Sequence, residues 1–255
     1  MSEFDFDAAF GENYLHFYVP LLNDERNRAE VDEIIETLGL KPGDRVLDAP
    51  CGHGRISNLL ASHGMIVTGV DQSALFLEKA ASDAAAQGGS VPQYLRGDLR
   101  DLPLEEGAAG SHDAVVCWFT SFGYFDDEGN RKVLSEFRRA LRPGGTLLIE
   151  TMHRDAFIRL FTPDPFAHVT RAGEDGKDLE IDVTTFDSEL GSLRTRRTVV
   201  RDGVVSSHVF TIRLPALTEL RQWLREAGFS SVAFQSRHGE ALTLETRRLV
   251  VLARA

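Results

Sequence analysis

The chain has 255 residues, 42% of them hydrophobic and 26% charged, with a formal net charge of −11. That length supports one large core, or a core with a subdomain, and the composition is that of a globular protein rather than a disordered or fibrous one. The acidic balance argues against a nucleic-acid binder, which needs a basic surface for phosphates.

Two cysteines, Cys51 and Cys117, are too few for a disulfide framework, which points to a reducing compartment, the cytoplasm. The acidic start "MSEFDFDAAFGENY" lacks the basic and apolar regions of a signal peptide. No apolar run approaches the roughly 18 residues of a membrane span, so no membrane partner is expected.

In chain order, "NYLHFYVPLLNDERNRAEVDEI" gathers Tyr14, His16, Phe17 and Tyr18, then a helix with the stripe Val31, Ile34, Ile35 and Leu38 and a stop at Gly39. "RVLDA" is a short strand, "RISNLLASHG" a helix, and "MIVTGVD" a second strand closed by Asp71. Ser73 caps the helix "ALFLEKAASDAAAQ", which Gly88 and Gly89 end. "VPQYLRGD" holds a third strand and "HDAVVCWF" a fourth. The helix "RKVLSEFRRAL" follows, then the break "RPGG" and a fifth strand, "TLLIET". Near-continuous apolar strands alternating with helices predict a parallel sheet covered on both faces.

Past about residue 160 the rhythm changes. "DLEIDVTTFD", "SLRTRRTVV" and "VVSSHVFTIRL" alternate polar with apolar residues, and Asp202-Gly203 joins the last two in a tight hairpin. An antiparallel insertion over 165–214 is expected, acting as a lid or a dimer element. Its basic run Arg194, Arg196 and Arg197 meets either an acidic group or only water. Thr218 then caps the helix "ELRQWLREAG", and "SVAFQS" and "RRLVVLAR" finish the sheet.

The chemistry concentrates at the strand ends. In "VLDAPCGHGRIS" two glycines let the backbone approach a ligand, and the helix beyond offers free N–H groups. Ser57 stands where a dinucleotide loop wants Gly or Ala, and no Lys completes a phosphate loop. Asp48 at the loop mouth suits a cationic ligand better than a phosphate. Asp71 follows the second strand and either accepts ribose hydroxyls or caps a helix. In "RGDLRDLP", Asp98 is placed to accept from an adenine amino group and Leu99 to pack on its ring.

The series "VLDAPCGHGR", "VTGVDQS", "GDLRDLP", "HDAVVCWFTSFGYF" and "LRPGGTLLIET" resembles the class I S-adenosylmethionine-dependent methyltransferases of small molecules. The likeness implies a Rossmann-like, doubly wound, mostly parallel seven-stranded sheet with an antiparallel β insertion after the fifth strand. Residues 1–44 would form a helical cap, 45–164 the cofactor-binding core, 165–214 the insertion, and 215–255 the last helix and strands. It further implies S-adenosyl-L-methionine bound by Asp48, Ala49, Gly52, His53, Gly54, Asp71, Gln72, Asp98, Leu99, Trp118 and Phe119. Pro50 offers no N–H, so loop contacts are expected from Gly52, His53 and Gly54.

The expected reaction is methyl transfer to N, O or C of a small molecule, with Tyr14, Tyr18 and Tyr124 on the acceptor. Tyr124 and His153 are the candidates for proton handling. Partners are the small-molecule acceptor and, through the insertion, a second copy in a homodimer. No metal site is expected, because the histidines are scattered and neither cysteine has a partner at zinc-like spacing. Two alternatives stay open: an NAD-binding oxidoreductase, and a non-catalytic cofactor-binding regulator or scaffold.

Overall fold

The computed structural model describes residues 6–105, 107–161 and 165–255. It opens with helices α1 (Phe6–Ala9), α2 (Glu12–Tyr18) and α3 (Asp24–Leu38). Strands β1 (Arg45–Asp48), β2 (Ile66–Asp71), β3 (Gln93–Arg96), β4 (His112–Cys117) and β5 (Leu141–Met152) follow, interleaved with α4 (Arg55–Ser62), α5 (Ala74–Gln87) and α6 (Asp127–Ala140). After the short α7 (Arg154–Phe157) come β6 (Phe166–Ala172), β7 (Asp178–Asp187), β8 (Ser192–Arg201) and β9 (Val204–Arg213). Helix α8 (Leu217–Glu226), β10 (Ser231–Gln235) and β11 (Arg248–Arg254) close the chain.

Seven strands form one sheet in the order β10-β11-β5-β4-β1-β2-β3. β1 to β5 pair in parallel and β11 runs against both of its neighbours. Because side chains alternate across a strand, consecutive apolar residues feed two layers. Leu47, Val70, Val115 and Leu147 pack with Phe137 and Trp223 on one face. Val46, Val116, Leu148 and Val250 pack with Ile34 and Leu60 on the other. Among the described residues no helix is long and apolar enough to cross a membrane.

The remaining four strands form a separate antiparallel sheet in the order β6-β7-β8-β9. The turn between β8 and β9 holds Asp202 and Gly203 at φ 52° and 76°, the positive angles a two-residue hairpin requires. Strand β6 is an addition to the expected three; it lies at the sheet's edge, and its "FAHVTRA" is mostly exposed, which blurs the alternation.

Other boundaries moved as well. Helix α3 starts at Asp24 because Asn23 accepts from Arg26 N at 3.0 Å, well before the apolar stripe begins. Thr218 does not cap α8. Ala216 holds the cap position and its N–H donates to Glu219 at 2.7 Å, which leaves Thr218 inside the first turn.

Candidate functional site

Strands β1 to β4 end at the same edge of the sheet, the edge at which open α/β sheets bind ligands. A partly open cleft of about 770 Å³ lies there. Asp48, Gly52, His53, Asp71, Gln72, Leu99, Trp118 and Phe119 reach it from the strand ends, and Phe10 and Tyr14 close it from the N-terminal helices.

Three expected cofactor residues are not on its surface. Ala49 is fully buried, its N–H donating to Val116 O at 2.9 Å. Gly54 serves packing: a Cβ there would stand 2.6 Å from both Ala80 Cβ and Tyr94 Oη. Asp98 turns to Arg100, which donates to it through Nη2 at 2.6 Å. Burial opposes its charge, but that guanidinium holds the Asp98 carboxyl below its ordinary range.

The loop spends its N–H groups differently from expectation. Cys51 N donates to Val70 O at 2.9 Å, and Gly54 N to Cys51 O at 3.1 Å. Gly52 N donates to Asp71 Oδ2 at 2.9 Å. Of the expected donors only His53 N is uncommitted among the described residues. Gly52 contributes room instead: at φ +54° its missing side chain faces nothing within 4 Å.

Two carboxylates set the electrostatics of this cleft. Asp48 is 2% exposed. Burial lifts its pKa to about 7, against a 2.6 Å hydrogen bond from Ser57 and the nearby charge of Arg55. Burial also raises Asp71, although Ser73 N and Gly52 N both donate to it. A carboxylate short of solvation gains from a cationic ligand. Burial, then Arg55, lower the His53 pKa to about 4, so this imidazole is neutral near pH 7.

Sequence reasoning missed Arg55 and the core of acids beneath it. Arg55 donates to Glu30 Oε2 at 2.6 Å and Asn27 Oδ1 at 3.1 Å, and Trp118 Nε1 donates to the same Glu30 oxygen at 3.1 Å. Glu30 is otherwise one more polar residue of α3; only the packing of α3 on α4 turns it inward.

A second cleft of about 1030 Å³ opens between this edge and the antiparallel sheet. Phe10, Tyr14, Phe119, Ser121 and Tyr124 wall both clefts, so the two meet there. Strand register supplies its ceiling as cross-strand rows. One row is Phe166, Thr184, Thr195 and Phe210; the next is His168, Asp182 and Arg197, ending on His208 outside the cleft. The two threonine hydroxyls are 2.8 Å apart.

Arg197 is 8% exposed. It donates through Nε and Nη2 to both Asp182 oxygens at 2.8 and 2.6 Å, and through Nη2 to the Tyr18 hydroxyl at 3.0 Å. Burial works against its charge, yet Asp182, Tyr18 and Glu180 hold its pKa above the ordinary value. Arg194 and Arg196, one step out of phase, are exposed. Helix α2 is pinned to this sheet: His16 Nε2 lies 2.7 Å from Asp178 Oδ2, and Arg201 donates to Asn13 at 3.2 Å.

The three tyrosines expected on the acceptor, Tyr14, Tyr18 and Tyr124, all line this second cleft. Burial lifts Tyr14 to about 12 and Tyr124 higher still. Burial thus disfavours the phenolate form of both. His153 lines neither cleft. It is 3% exposed, its Nδ1 lies 3.0 Å from Thr246 O, and its backbone N–H donates to Arg247 O at 2.8 Å. It starts α7 and stitches that turn to the segment ahead of β11.

Residues 46–145 match the family model of the methyltransferase domain. These residues carry a methyltransferase domain, similar to those of the class I S-adenosylmethionine-dependent methyltransferases. The chain is 32% identical over 136 residues to glycine/sarcosine N-methyltransferase of Halorhodospira halochloris, covering 53% of this chain and 50% of that one. It is also 32% identical over 158 residues to malonyl-[acyl-carrier protein] O-methyltransferase of Enterobacter lignolyticus, covering 60% and 55%. The chain thus spans about half the length of these curated relatives.

The fold extends further than the sequence match. The CcbJ methyltransferase of Streptomyces caelestis superposes with a TM-score of 0.73 at 20% identity, covering 90% of this chain and 89% of that one. An S-adenosylmethionine-dependent methyltransferase of Clostridium acetobutylicum gives 0.74 at 17%, covering 95% and 96%. The methyltransferase domain's first cleft has the donor set for an adenosyl sulfonium ligand. Asp71 faces it at the end of β2, Asp48 supplies an acid, open space lies over Gly52, and Trp118 and Phe119 line it, with Arg237 already over the first ring and Arg26 and Arg55 over the second.

Proposed function

We propose that the chain transfers a methyl group from S-adenosyl-L-methionine to a small molecule held beneath the insertion sheet. The observation that carries this reading is the shared wall of the two clefts, made by Phe10, Tyr14, Phe119, Ser121 and Tyr124. It supplies one junction at which a donor and an acceptor can meet.

When bound, the cofactor supplies an electrophilic methyl on a sulfonium. The chain's residues do the rest. Asp71 takes the ribose hydroxyls, Leu99 packs on the base, and Asp48 faces the ammonium group. Tyr14 and Tyr124 shape the junction and exclude water, and positioning of this kind supplies much of the rate. Asp182, Arg197 and the two threonines hold the acceptor from above.

No carboxylate or imidazole among the described residues lines both clefts. The acceptor cleft's own imidazole and carboxylate, His168 and Asp182, stand in the insertion sheet, away from that shared wall, so an acceptor that attacks as an uncharged amine or an ionised oxygen or carbon fits the junction without a base there. The relatives include enzymes named for N- and O-methylation, so the atom stays open between these.

In this reading residues 1–44 cap the site, 45–164 bind the cofactor, 165–214 cover the acceptor, and 215–255 complete the core. The compartment is the cytoplasm, supported by two buried free cysteines. A homodimer through the insertion is supported by exposed Val183, Val205 and Val209.

Calorimetry with S-adenosylmethionine, its demethylated product and NAD tests the cofactor. Binding of NAD alone overturns the proposal. Label transfer from methyl-labelled cofactor into a metabolite extract tests the activity, and binding without any transfer leaves a scaffold.

A further inference from the structure

Past the end of β4 the backbone enters the left-handed region at two consecutive residues that are not glycine, Phe119 at φ +64° and Thr120 at φ +60°. A β-branched residue there is a true outlier. Such strain persists only where the surroundings over-determine it, and it gathers at working sites. Here it stands at the junction of the two clefts, both walled by Phe119.

What holds this turn comes from behind it. Phe119 N donates to Glu150 Oε2 at 3.0 Å, and Thr120 N donates to the Glu150 carbonyl at 2.9 Å. Arg248, on the neighbouring antiparallel strand, donates through Nη2 to Thr120 Oγ1 at 2.7 Å and to Glu150 Oε2 at 2.6 Å. Its Nε closes the fork on Glu150 Oε1. Glu150 is 1% exposed, and neither residue lines a cleft. A buried ion pair is by itself a weak source of stability. This one fixes the Phe119 N–H and the Thr120 hydroxyl, while the main-chain carbonyl of the same Glu150 takes the Thr120 N–H.

We infer that Glu150 and Arg248 are positioning residues: together they hold Phe119 and Thr120 in the left-handed turn that keeps the Phe119 ring between the cofactor cleft and the acceptor cleft. The inference rests on the proposed function for what the ring borders, but not for how the turn is held. The guanidinium grips Thr120 and one Glu150 oxygen through Nη2 and the other Glu150 oxygen through Nε, a planar two-nitrogen hold that the single nitrogen of lysine cannot reproduce.

The test uses Arg248→Lys in the full chain, alone and with Thr120→Gly, because glycine takes positive φ without strain. Backbone amide exchange at Phe119 and Thr120 reads the turn, and calorimetry with S-adenosylmethionine reads the site. In Arg248→Lys, exchange at Phe119, whose N–H is held by the Glu150 carboxylate, should quicken at least tenfold and cofactor affinity fall about tenfold. Adding Thr120→Gly should return the affinity to within threefold of wild type. Unchanged exchange in Arg248→Lys overturns the inference, as does a loss of affinity that glycine fails to repair. Should Arg248→Lys not fold, Glu150→Gln with and without Thr120→Gly makes the same comparison. If wild type binds no S-adenosylmethionine, the proposed function fails while the exchange data still decide this inference.

Discussion

The two walls of the site are built by opposite rules. On the core side, position comes from backbone: parallel strands end together, and Asp71 is fixed by the N–H groups of Gly52 and Ser73. On the insertion side, position comes from side chains in register, with Asp182 and Arg197 paired across β7 and β8. A backbone-built wall suits a ligand that never changes. A wall of side-chain rows can be rewritten one residue at a time, which suits an acceptor that differs between relatives. Changes on the core side should therefore move cofactor affinity, and changes on the insertion side should spare it.

The largest effect belongs to Arg197→Met. It leaves Asp182 and Glu180 buried around an uncharged chain, and breaking one side of a buried pair costs about 3–5 kcal/mol. At roughly 2–4 °C per kcal/mol for a domain this size, the melting temperature at pH 8 should drop by about 10 °C. Affinity for S-adenosylmethionine, measured where the variant is folded, should stay within threefold. A large loss of affinity with it would erase the division between the walls.

Asp71→Ala is the reciprocal case. Hydrogen bonds to a charged group contribute about 1.5–3 kcal/mol each, so losing the ribose contacts should weaken cofactor binding by at least a hundredfold. The melting temperature should move little by comparison, because burial already disfavours this carboxylate. An affinity within threefold of wild type removes Asp71 from the ribose.

The same contrast explains what could be read in advance. Strand ends rich in Asp and Gly announce themselves, so Asp48, Gly52 and Asp71 were legible, as was the alternation that predicted the insertion. Arg197 was half legible: period-two counting separates it from Arg194 and Arg196, but only the fold says which phase faces inward. Pairings between distant segments were not legible. Glu30 with Arg55 spans 25 residues and Glu150 with Arg248 spans 98, and nothing local marks either partner. The misplacement of His153 has the same root. It does follow β5, but the backbone ahead of β11 claims its ring.

A smaller, pH-dependent effect sharpens the core side. Burial raises Asp48 from 3.8 to about 7, so in the folded chain it binds a proton more readily than in the unfolded one. That gain in stability is full below about pH 4 and is lost as pH rises toward 7. Asp48→Asn should therefore raise the melting temperature at pH 8 by about 5 °C, since Ser57 can donate to the amide oxygen. If the ionised form holds the ligand's ammonium, wild-type affinity should rise about tenfold from pH 6 to pH 8, and the variant should be flat. His53, with a pKa of about 4, does not titrate in that window. A slope retained in Asp48→Asn would assign the proton to Asp71, the other raised carboxylate of the cleft.

The smallest effect is expected on the outer face of the insertion. Arg194→Ala and Arg196→Ala remove exposed charges, and changes at such positions usually stay within about 0.5 kcal/mol. Their melting temperatures and cofactor affinities should match wild type, so that three arginines within four residues divide one to two between structure and surface. The same face carries Val183, Val205 and Val209, 40%, 65% and 41% exposed. Sedimentation of Val205→Glu and Val209→Glu asks whether a second copy covers them. A homodimer formed through this face should fall to a monomer in both variants without losing cofactor affinity. A dimer that survives both charges must be joined elsewhere, and the insertion would then serve only the acceptor.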